Sequence, residues 1–321
     1  MDAALDRLLA QIPRGAVTTY GDLARALGDV KAARWIGERL LDHDHGPTCP
    51  CHRVVRKDGS PGLYITGNVN EQLGLLRAEG VDVVDGKVTI SFPSDRFTTD
   101  RPLQPLQKLQ HQAPRELKLT PIADEPRTLG GLDVAYVDRQ TAVAAYVRLD
   151  ADTLETTWEA TLTLPVRFPY VSGYLSFREL PALLALADHA RAENRWADLV
   201  FVDGNGVLHP RRAGIASCFG LLSTTPTIGI GKTLLCGSVD VTDMAAGEPR
   251  LVMHDEEPIG AALKSRQTSR PFFASPGNLV TLDDAIRWSR HCLTNHRLPE
   301  PIQRADRLSK QAVRDARQNR E

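Results

Sequence analysis

The sequence predicts an α/β protein of two domains, a small one containing a helix-turn-helix and a larger one built on a mixed β-sheet. Three observations carry this prediction. Residues 1–42 hold three short runs with helical apolar spacing. From Gly130 onward the pattern changes to apolar runs of strand character, followed by helix alternating with strand. Between the two regimes lies a polar, aperiodic segment, 93–101, that opens on Pro93. At the usual ~100–200 residues per domain, 321 residues leave room for a core in each.

In chain order, helices are expected over 4–12, 22–27 and 32–41. Gly28 turns the chain between the last two, and the second helix of that pair carries Arg34. The division is 1–92 for the first domain, 93–101 for a linker and 102–321 for the second domain. Helical spacing resumes over 103–117. Strands follow at 132–136, 142–149 and 156–164. Then come a helix over 176–193, a strand over 199–202, a helix after Arg212 and another over 282–291. The basic stretch after Arg304 also has helical character.

With 42% hydrophobic and 25% charged residues the chain is globular in composition throughout. A formal net charge of -1 gives no overall attraction to nucleic acid, so any DNA binding has to come from local patches. Asp2 and Asp6 stand where a signal peptide needs basic residues, and no apolar run has bilayer length, so a cytoplasmic location without membrane contact is expected. Five cysteines, an odd number without regular spacing, point to a reducing compartment and a free thiol.

In the first domain Cys51 and His52 place a thiol beside an imidazole. Only the thiolate is a strong nucleophile, and a nearby base favours its formation. A competing reading is a zinc site, because His43, His45, Cys49, Cys51 and His52 crowd one loop, although their spacing fits no common zinc module.

The surrounding motifs are Ile12-Pro13-Arg14-Gly15, Thr18-Thr19-Tyr20-Gly21-Asp22-Leu23, Ala32-Ala33-Arg34-Trp35-Ile36-Gly37, Pro50-Cys51-His52-Arg53-Val54 and Leu75-Leu76-Arg77-Ala78-Glu79-Gly80. In this order they resemble the DNA-binding and active-site domain of the O6-alkylguanine-DNA alkyltransferases, over residues 1–92. The resemblance implies that Cys51 accepts an alkyl group from guanine, with His52 acting through a water and Glu79 orienting it. It also implies that the target nucleotide is flipped out, Arg34 filling the vacated space and Tyr20 donating a hydrogen bond to the base. A thioether formed in this way is not reversed, so each chain reacts once.

In the second domain three acids stand at or near element ends. Asp133 lies in an apolar strand, where a buried carboxylate requires a cation or donor. Asp203 ends the run 199–202, where it also suits a turn, and Glu179 follows Ser176 by three, which also suits a capping box. Acids converging from separate elements can hold hard divalent ions. Gly231-Lys232-Thr233 resembles the end of a P-loop, but Pro226 stands where the first glycine is required, so no ATP site follows.

Leu132-Asp133-Val134-Ala135-Tyr136, Phe168-Pro169-Tyr170-Val171-Ser172-Gly173, Leu175-Ser176-Phe177-Arg178-Glu179, Val202-Asp203-Gly204, His209-Pro210-Arg211-Arg212, Pro226-Thr227-Ile228-Gly229 with Lys232, Ser275-Pro276-Gly277 and Ala305-Asp306-Arg307 together resemble endonuclease V. The resemblance implies an RNase H-like fold and a magnesium-dependent cut, with manganese as a substitute, on the 3′ side of deoxyinosine. It implies metal ligation by Asp133, Glu179, Asp203 and Asn278, the last standing where the family usually has a histidine. Lys232 joins the catalytic set through the scissile phosphate. Tyr170 is the wedge that separates the lesion from its partner. Gly173, Leu175 and Gly214 lie near the base pocket, and His209 and Arg211 contact DNA.

The expectation is a monomeric fused DNA-repair enzyme acting on double-stranded DNA with alkylated guanine or deoxyinosine. Two alternatives stay open at this level. The first domain is instead a non-enzymatic lesion sensor, or the nuclease acts on inosine in RNA.

Overall fold

The computed structural model describes residues 1–43, 45–46 and 48–319. The chain divides into two compact units, one of Met1–Lys108 with Phe168–Tyr174, the other of Leu109–Arg167 with Leu175–Glu321.

The first unit opens with α1 (Asp2–Leu9), β1 (Thr18–Thr19) and α2 (Tyr20–Ala26). Thr19 starts α2 because its Oγ1 accepts the Asp22 N–H at 3.0 Å, satisfying one of the first-turn donors. Gly28 ends the turn that follows at φ +108°, and a side chain there would crowd the backbone of Arg101 and Gln104. Helix α3 (Ala33–Leu40) then buries Trp35, Ile36 and Leu40. The strand β2 (Val54–Val55) pairs in parallel with β1, Thr18 opposite Val54, which ties the helix pair to the Cys51–His52 loop. From α4 (Val69–Ala78), Gln72 donates to the carbonyls of His52 at 3.0 Å and Val54 at 2.9 Å, bracing that loop from below. The hairpin of β3 (Val83–Val84) and β4 (Lys87–Val88) closes a small core of Val17, Val55, Leu73, Leu76 and Val88.

Residues 93–101, read as a linker, are packed on this unit. The Ser94 N–H bonds Asp22, Thr98 bonds the Gln11 amide, and Thr99 Oγ1 bonds the Ala26 carbonyl. Phe97 is buried, edge-on to Phe92. Helix α5 (Leu103–Glu116) follows.

The second unit is built on an eight-stranded mixed sheet. Its strands are β5 (Thr128–Tyr136), β6 (Thr141–Asp150), β7 (Thr156–Pro165), β8 (Leu199–Asp203), β9 (Thr227–Gly231), β10 (Arg250–His254), β11 (Glu257–Leu263) and β12 (Phe272–Asn278), in the order β10-β11-β12-β9-β8-β5-β6-β7. β5, β8 and β9 are mutually parallel neighbours at the centre, and the other pairings are antiparallel. Helices α6 (Leu175–Ala192) and α7 (Ile215–Ser223) cover one face; α8 (Leu282–His291) and α9 (Glu300–Gln318) cover the other.

The period of two explains the layering. Leu199 and Phe201 of β8 enter the core beneath α8 and α9, whereas Val200 and Val202 enter the core beneath α6 and α7, so this strand is apolar without a break. The expected elements from 103 to 223 and the helix 282–291 are all present. The strands β9 to β12 lie outside the expectation, for a local reason. Their sequences carry Gly229, Gly231, Pro276 and Gly277, which read as breakers; in the structure the register shifts between Pro276 and Asn278, where a missing N–H is tolerated.

Candidate active sites

Asp133 and Asp203 occupy adjacent parallel strands. β5 and β8 pair with Leu132 opposite Val202, so the two aspartates stand one step further along on neighbouring strands. As odd-numbered positions both share the face of Leu129 and Phe201, toward α9. From α9, Asp306 completes a group whose carboxylate oxygens all lie within 4.8 Å of one another. Ser309, one turn further along α9, donates its hydroxyl to Asp133 Oδ2.

The electrostatics of this group fit a hard divalent cation. Burial, and the Asp203 carboxylate beside it, push Asp133 well above the usual carboxylate range. Glu179 of α6 is buried next to the group and is pushed up to about 7, chiefly by desolvation and further by Asp203, against the hydroxyl of Tyr136 donated at 3.0 Å. The Lys232 ammonium lies 2.5 Å from Asp203 Oδ2 and 3.1 Å from Asp306 Oδ1, and Lys310 is 2.6 Å from Asp306 Oδ2. Two carboxylates raised by burial and by the Asp203 charge, with the Lys232 ammonium drawn between Asp203 and Asp306, mark an array that favours added positive charge. Their all-oxygen donor set suits magnesium or manganese.

Two of the expected ligands, Asn278 and Glu179, make hydrogen bonds within the protein. Asn278 is buried at the end of β12 with its amide committed elsewhere. Its Oδ1 accepts the Lys118 N–H at 3.0 Å, and its Nδ2 donates to the Gly220 carbonyl at 3.1 Å. It fastens α7 and the chain after α5 to the sheet. The third acid of the group is Asp306. Glu179 lies outside the set of three acids within 4.8 Å of one another, and its Oε1 accepts the Tyr136 hydroxyl at 3.0 Å.

The turn after Asp203 is shaped by close backbone approaches. Side chains at Gly206 or Gly214 would collide with the Pro276 and Asn205 carbonyls respectively, so Gly214 is fixed by space at the start of α7. His209 is buried and accepts the Arg211 N–H on Nδ1 at 3.1 Å, while the Arg211 guanidinium donates to Gln110. Both side chains are therefore built into the loop after β8. Tyr170 is 53% exposed, Gly173 adopts φ +81°, and Leu175 is exposed at the start of α6.

In the first unit, Glu79 organises the Cys51–His52 loop. Arg53 grips it through two donors at 2.9 and 2.6 Å, and the Gly15 N–H adds a third at 3.1 Å. Desolvation opposes ionisation, but Arg53, Gly15 and His52 more than offset it and hold Glu79 down to about 2. His52 Nε2 lies 3.1 Å from Glu79 Oε1, an ion-pair distance without hydrogen-bond alignment. Cys51 is buried, and the Cys49 sulfur beside it, together with burial, pushes its thiol up. Tyr20 is half-buried; its hydroxyl faces Gly62, where a side chain would displace it. Arg34 projects from α3 with its side chain 82% exposed, paired with Glu38 at 3.0 Å.

The family description "Endonuclease V" matches residues 111–307, which spans more than half of the chain. The chain belongs to the endonuclease V family. A second description, the DNA-binding domain of 6-O-methylguanine DNA methyltransferase, matches residues 2–81. A bifunctional methyltransferase/endonuclease from Picrophilus torridus is 33% identical over 291 residues, 90% of this chain and 89% of that protein. An endonuclease V from Xylella fastidiosa is 42% identical over 59% of this chain and 78% of its own length. Among solved structures, the catalytic domain of human endonuclease V superposes with a TM-score of 0.63 at 30% identity, covering 68% of this chain and 98% of that one. Ciona intestinalis endonuclease V, bound to a 24mer DNA containing an inosine followed by a ribo-adenosine, gives 0.60 at 26% identity, covering 68% and 100%. This chain is thus an enzyme that joins a methyltransferase-type DNA-binding domain to an endonuclease V domain.

Asp306, Ser309 and Lys310 recur at helical spacing in the stretch after Arg304, a pattern present in the sequence, but nothing local to it says that Asp306 meets Asp133. Gln72, which braces the endonuclease-independent site in the first unit, gave no comparable signal.

Proposed function

We propose that this bifunctional endonuclease V-family enzyme, acting as a monomer on double-stranded DNA, carries out two separate repair reactions. At Cys51 it takes the alkyl group from O6-alkylguanine. At the Asp133–Asp203–Asp306 group it cuts one strand on the 3′ side of deoxyinosine. The observation that carries the second reaction is the meeting of three aspartates from β5, β8 and α9, with Lys232 among them.

For the first reaction, the Cys51 Sγ–carbon bond forms as the carbon–O6 bond breaks, and the electron pair passes to guanine, which is released as the normal base once protonated. His52, held at Glu79, receives the thiol proton through water. The base reaches the buried sulfur only when flipped out, with Tyr20 as its hydrogen-bond donor and the exposed Arg34 entering the vacated stack.

For the second, Asp133, Asp203 and Asp306 would hold magnesium, or manganese in its place, with Glu179 alongside. When bound, the ion supplies Lewis acidity toward the scissile phosphate. Ser309 fixes the Asp133 carboxylate, Tyr136 fixes Glu179, and Lys232 moves from its carboxylate partners toward the phosphate. Tyr170 is the wedge, Gly173, Leu175 and Gly214 shape the base pocket, and His209 and Arg211 support the loop that faces DNA.

An end-labelled duplex with one deoxyinosine tests the nuclease assignment. Product length should place the cut on the 3′ side, and Asp203→Asn should abolish it; cleavage by that variant at the normal rate would remove Asp203 from the site.

A further inference from the structure

Neither reaction uses Cys49, His43 or His45, yet these three side chains gather around Cys51. His43 Nε2 is 3.0 Å from Cys49 Sγ, and His45 Nδ1 is 3.4 Å from Cys51 Sγ. All four atoms lie within 4.8 Å of one another. Around a tetrahedral zinc, Zn–S of about 2.3 Å and Zn–N of about 2.0–2.1 Å separate neighbouring ligand atoms by roughly 3.4–3.8 Å. The two contacts lie on the short side of that range and the upper bound of 4.8 Å exceeds it by about 1 Å, so side-chain adjustments on that scale bring the four atoms to tetrahedral spacing.

The orientation of His43 points the same way. Its Nδ1 lies 2.9 Å from the Leu40 carbonyl, which can only accept, so Nδ1 carries the proton and Nε2 presents its lone pair to the group. An outer carbonyl that fixes the tautomer of an imidazole is the usual support of a metal-ligating histidine. His45 is fixed by ring packing instead, edge-on to His43 at 5.6 Å and to Tyr64 at 6.0 Å. Two sulfurs and two imidazoles select zinc over the hard ions suited to the all-oxygen aspartate group.

We propose that His43, His45, Cys49 and Cys51 form a tetrahedral zinc site in the first unit, so that the metal and an alkyl group compete for the same sulfur. Zinc binds Cys51 as the thiolate, whereas a thioether is a poor ligand, so alkylation of Cys51 releases the metal. The consequence for DNA rests on the alkyl-transfer reading; the site itself does not.

The test uses the reduced full-length chain titrated with cobalt and then zinc, without DNA. One cobalt per chain should produce a thiolate-to-cobalt charge-transfer band with tetrahedral d–d bands, and one zinc should bleach both. The aspartate group contains no sulfur and cannot give that band. His45→Ala, Cys49→Ser and Cys51→Ser should each weaken zinc by more than the 10–100-fold that loss of an outer partner costs. Iodoacetamide labelling of Cys51, read by mass spectrometry, should slow at least tenfold when zinc is present. Absence of the charge-transfer band, metal affinity undiminished in Cys51→Ser, or labelling of Cys51 indifferent to zinc would each overturn the site. Transfer from O6-methylguanine DNA, measured in parallel, reports on the alkyl acceptor alone, so either idea can fail without the other.

Discussion

Gly131 of β5 lies directly beneath the carbonyl oxygen of Pro301 in the first turn of α9, too close to admit a β-carbon. From this contact the helix runs along the strand, Ser309 reaching Asp133 and Arg317 reaching the Val137 carbonyl. Five residues of helix from Pro301 to Asp306 advance about 7.5 Å, and two residues of strand from Gly131 to Asp133 advance roughly 6.6 Å. The near match in rise is what brings the third aspartate to the first.

Gly131→Ala should therefore push α9 outward. The expected result is a loss of about 1–3 kcal/mol of stability, with nicking down by about 100-fold because the acids are misplaced by around an ångström. Alkyl transfer should persist. Normal nicking by this variant would mean that α9 does not set the site.

Asp306→Asn and Asn278→His separate the observed carboxylate from the position suggested by resemblance. The first should lower nicking at least about 100-fold and raise the magnesium requirement, since it removes a charged ligand. The second should leave the magnesium requirement unchanged and destabilise the chain by about 1–3 kcal/mol, because the larger imidazole has to enter the buried place of an amide that bonds both Lys118 N–H and Gly220 C=O. A metal titration of nicking rate with thermal melts checks both, and a lowered magnesium requirement in Asn278→His would restore it to the site.

The raised carboxylates give a signed pH dependence. Glu179 ionises near 7 when folded and near 4.5 when not, so the folded chain holds the extra proton between these values. Metal-free stability should fall as pH rises through that window, with Asp133 acting in the same direction. The depressed Glu79 acts only below about 4.5 and does not mask the trend. Divalent ions should reverse it, since they bind the ionised form. Denaturant titrations at pH 5 and 7, with chelator and with magnesium, measure this; Glu179→Gln should flatten the metal-free slope, and an unaltered slope would sink the assignment.

Tyr170 is exposed on a loop, so Tyr170→Ala should leave the melting temperature unchanged while reducing nicking at deoxyinosine at least tenfold, if the ring stacks at about 1–3 kcal/mol per base. Equal nicking by both proteins would end the wedge role.

The parts legible in the sequence were those set by local period. β5, β6, β7 and β8 announce themselves by apolar runs, and Asp133 and Asp203 stand out as acids within or just after them. Asp306 did not, because its part in the site depends on α9 docking over Gly131, a relation between residues 170 positions apart in which the glycine carries no label. Asn278 is the converse case: its motif is legible, whereas the bonds of its amide to Lys118 and Gly220, which hold α7 to β12, are not. In the first unit the sequence pointed to Cys51, His52 and Glu79 and to the crowding of His43, His45, Cys49 and Cys51, whereas which of those atoms lie within ligand distance is a property of the fold.

Two independent chemistries in one chain can be separated on a duplex carrying both O6-methylguanine and deoxyinosine. Intact protein mass and strand cleavage are read from the same reaction. Wild type should gain one methyl group on Cys51 and no more, and should nick beside inosine. Cys51→Ser should nick without gaining mass, and Asp203→Asn should gain the methyl group without nicking. Methyl transfer by Cys51→Ser, nicking by Asp203→Asn, or loss of both activities in a folded single variant would contradict the account.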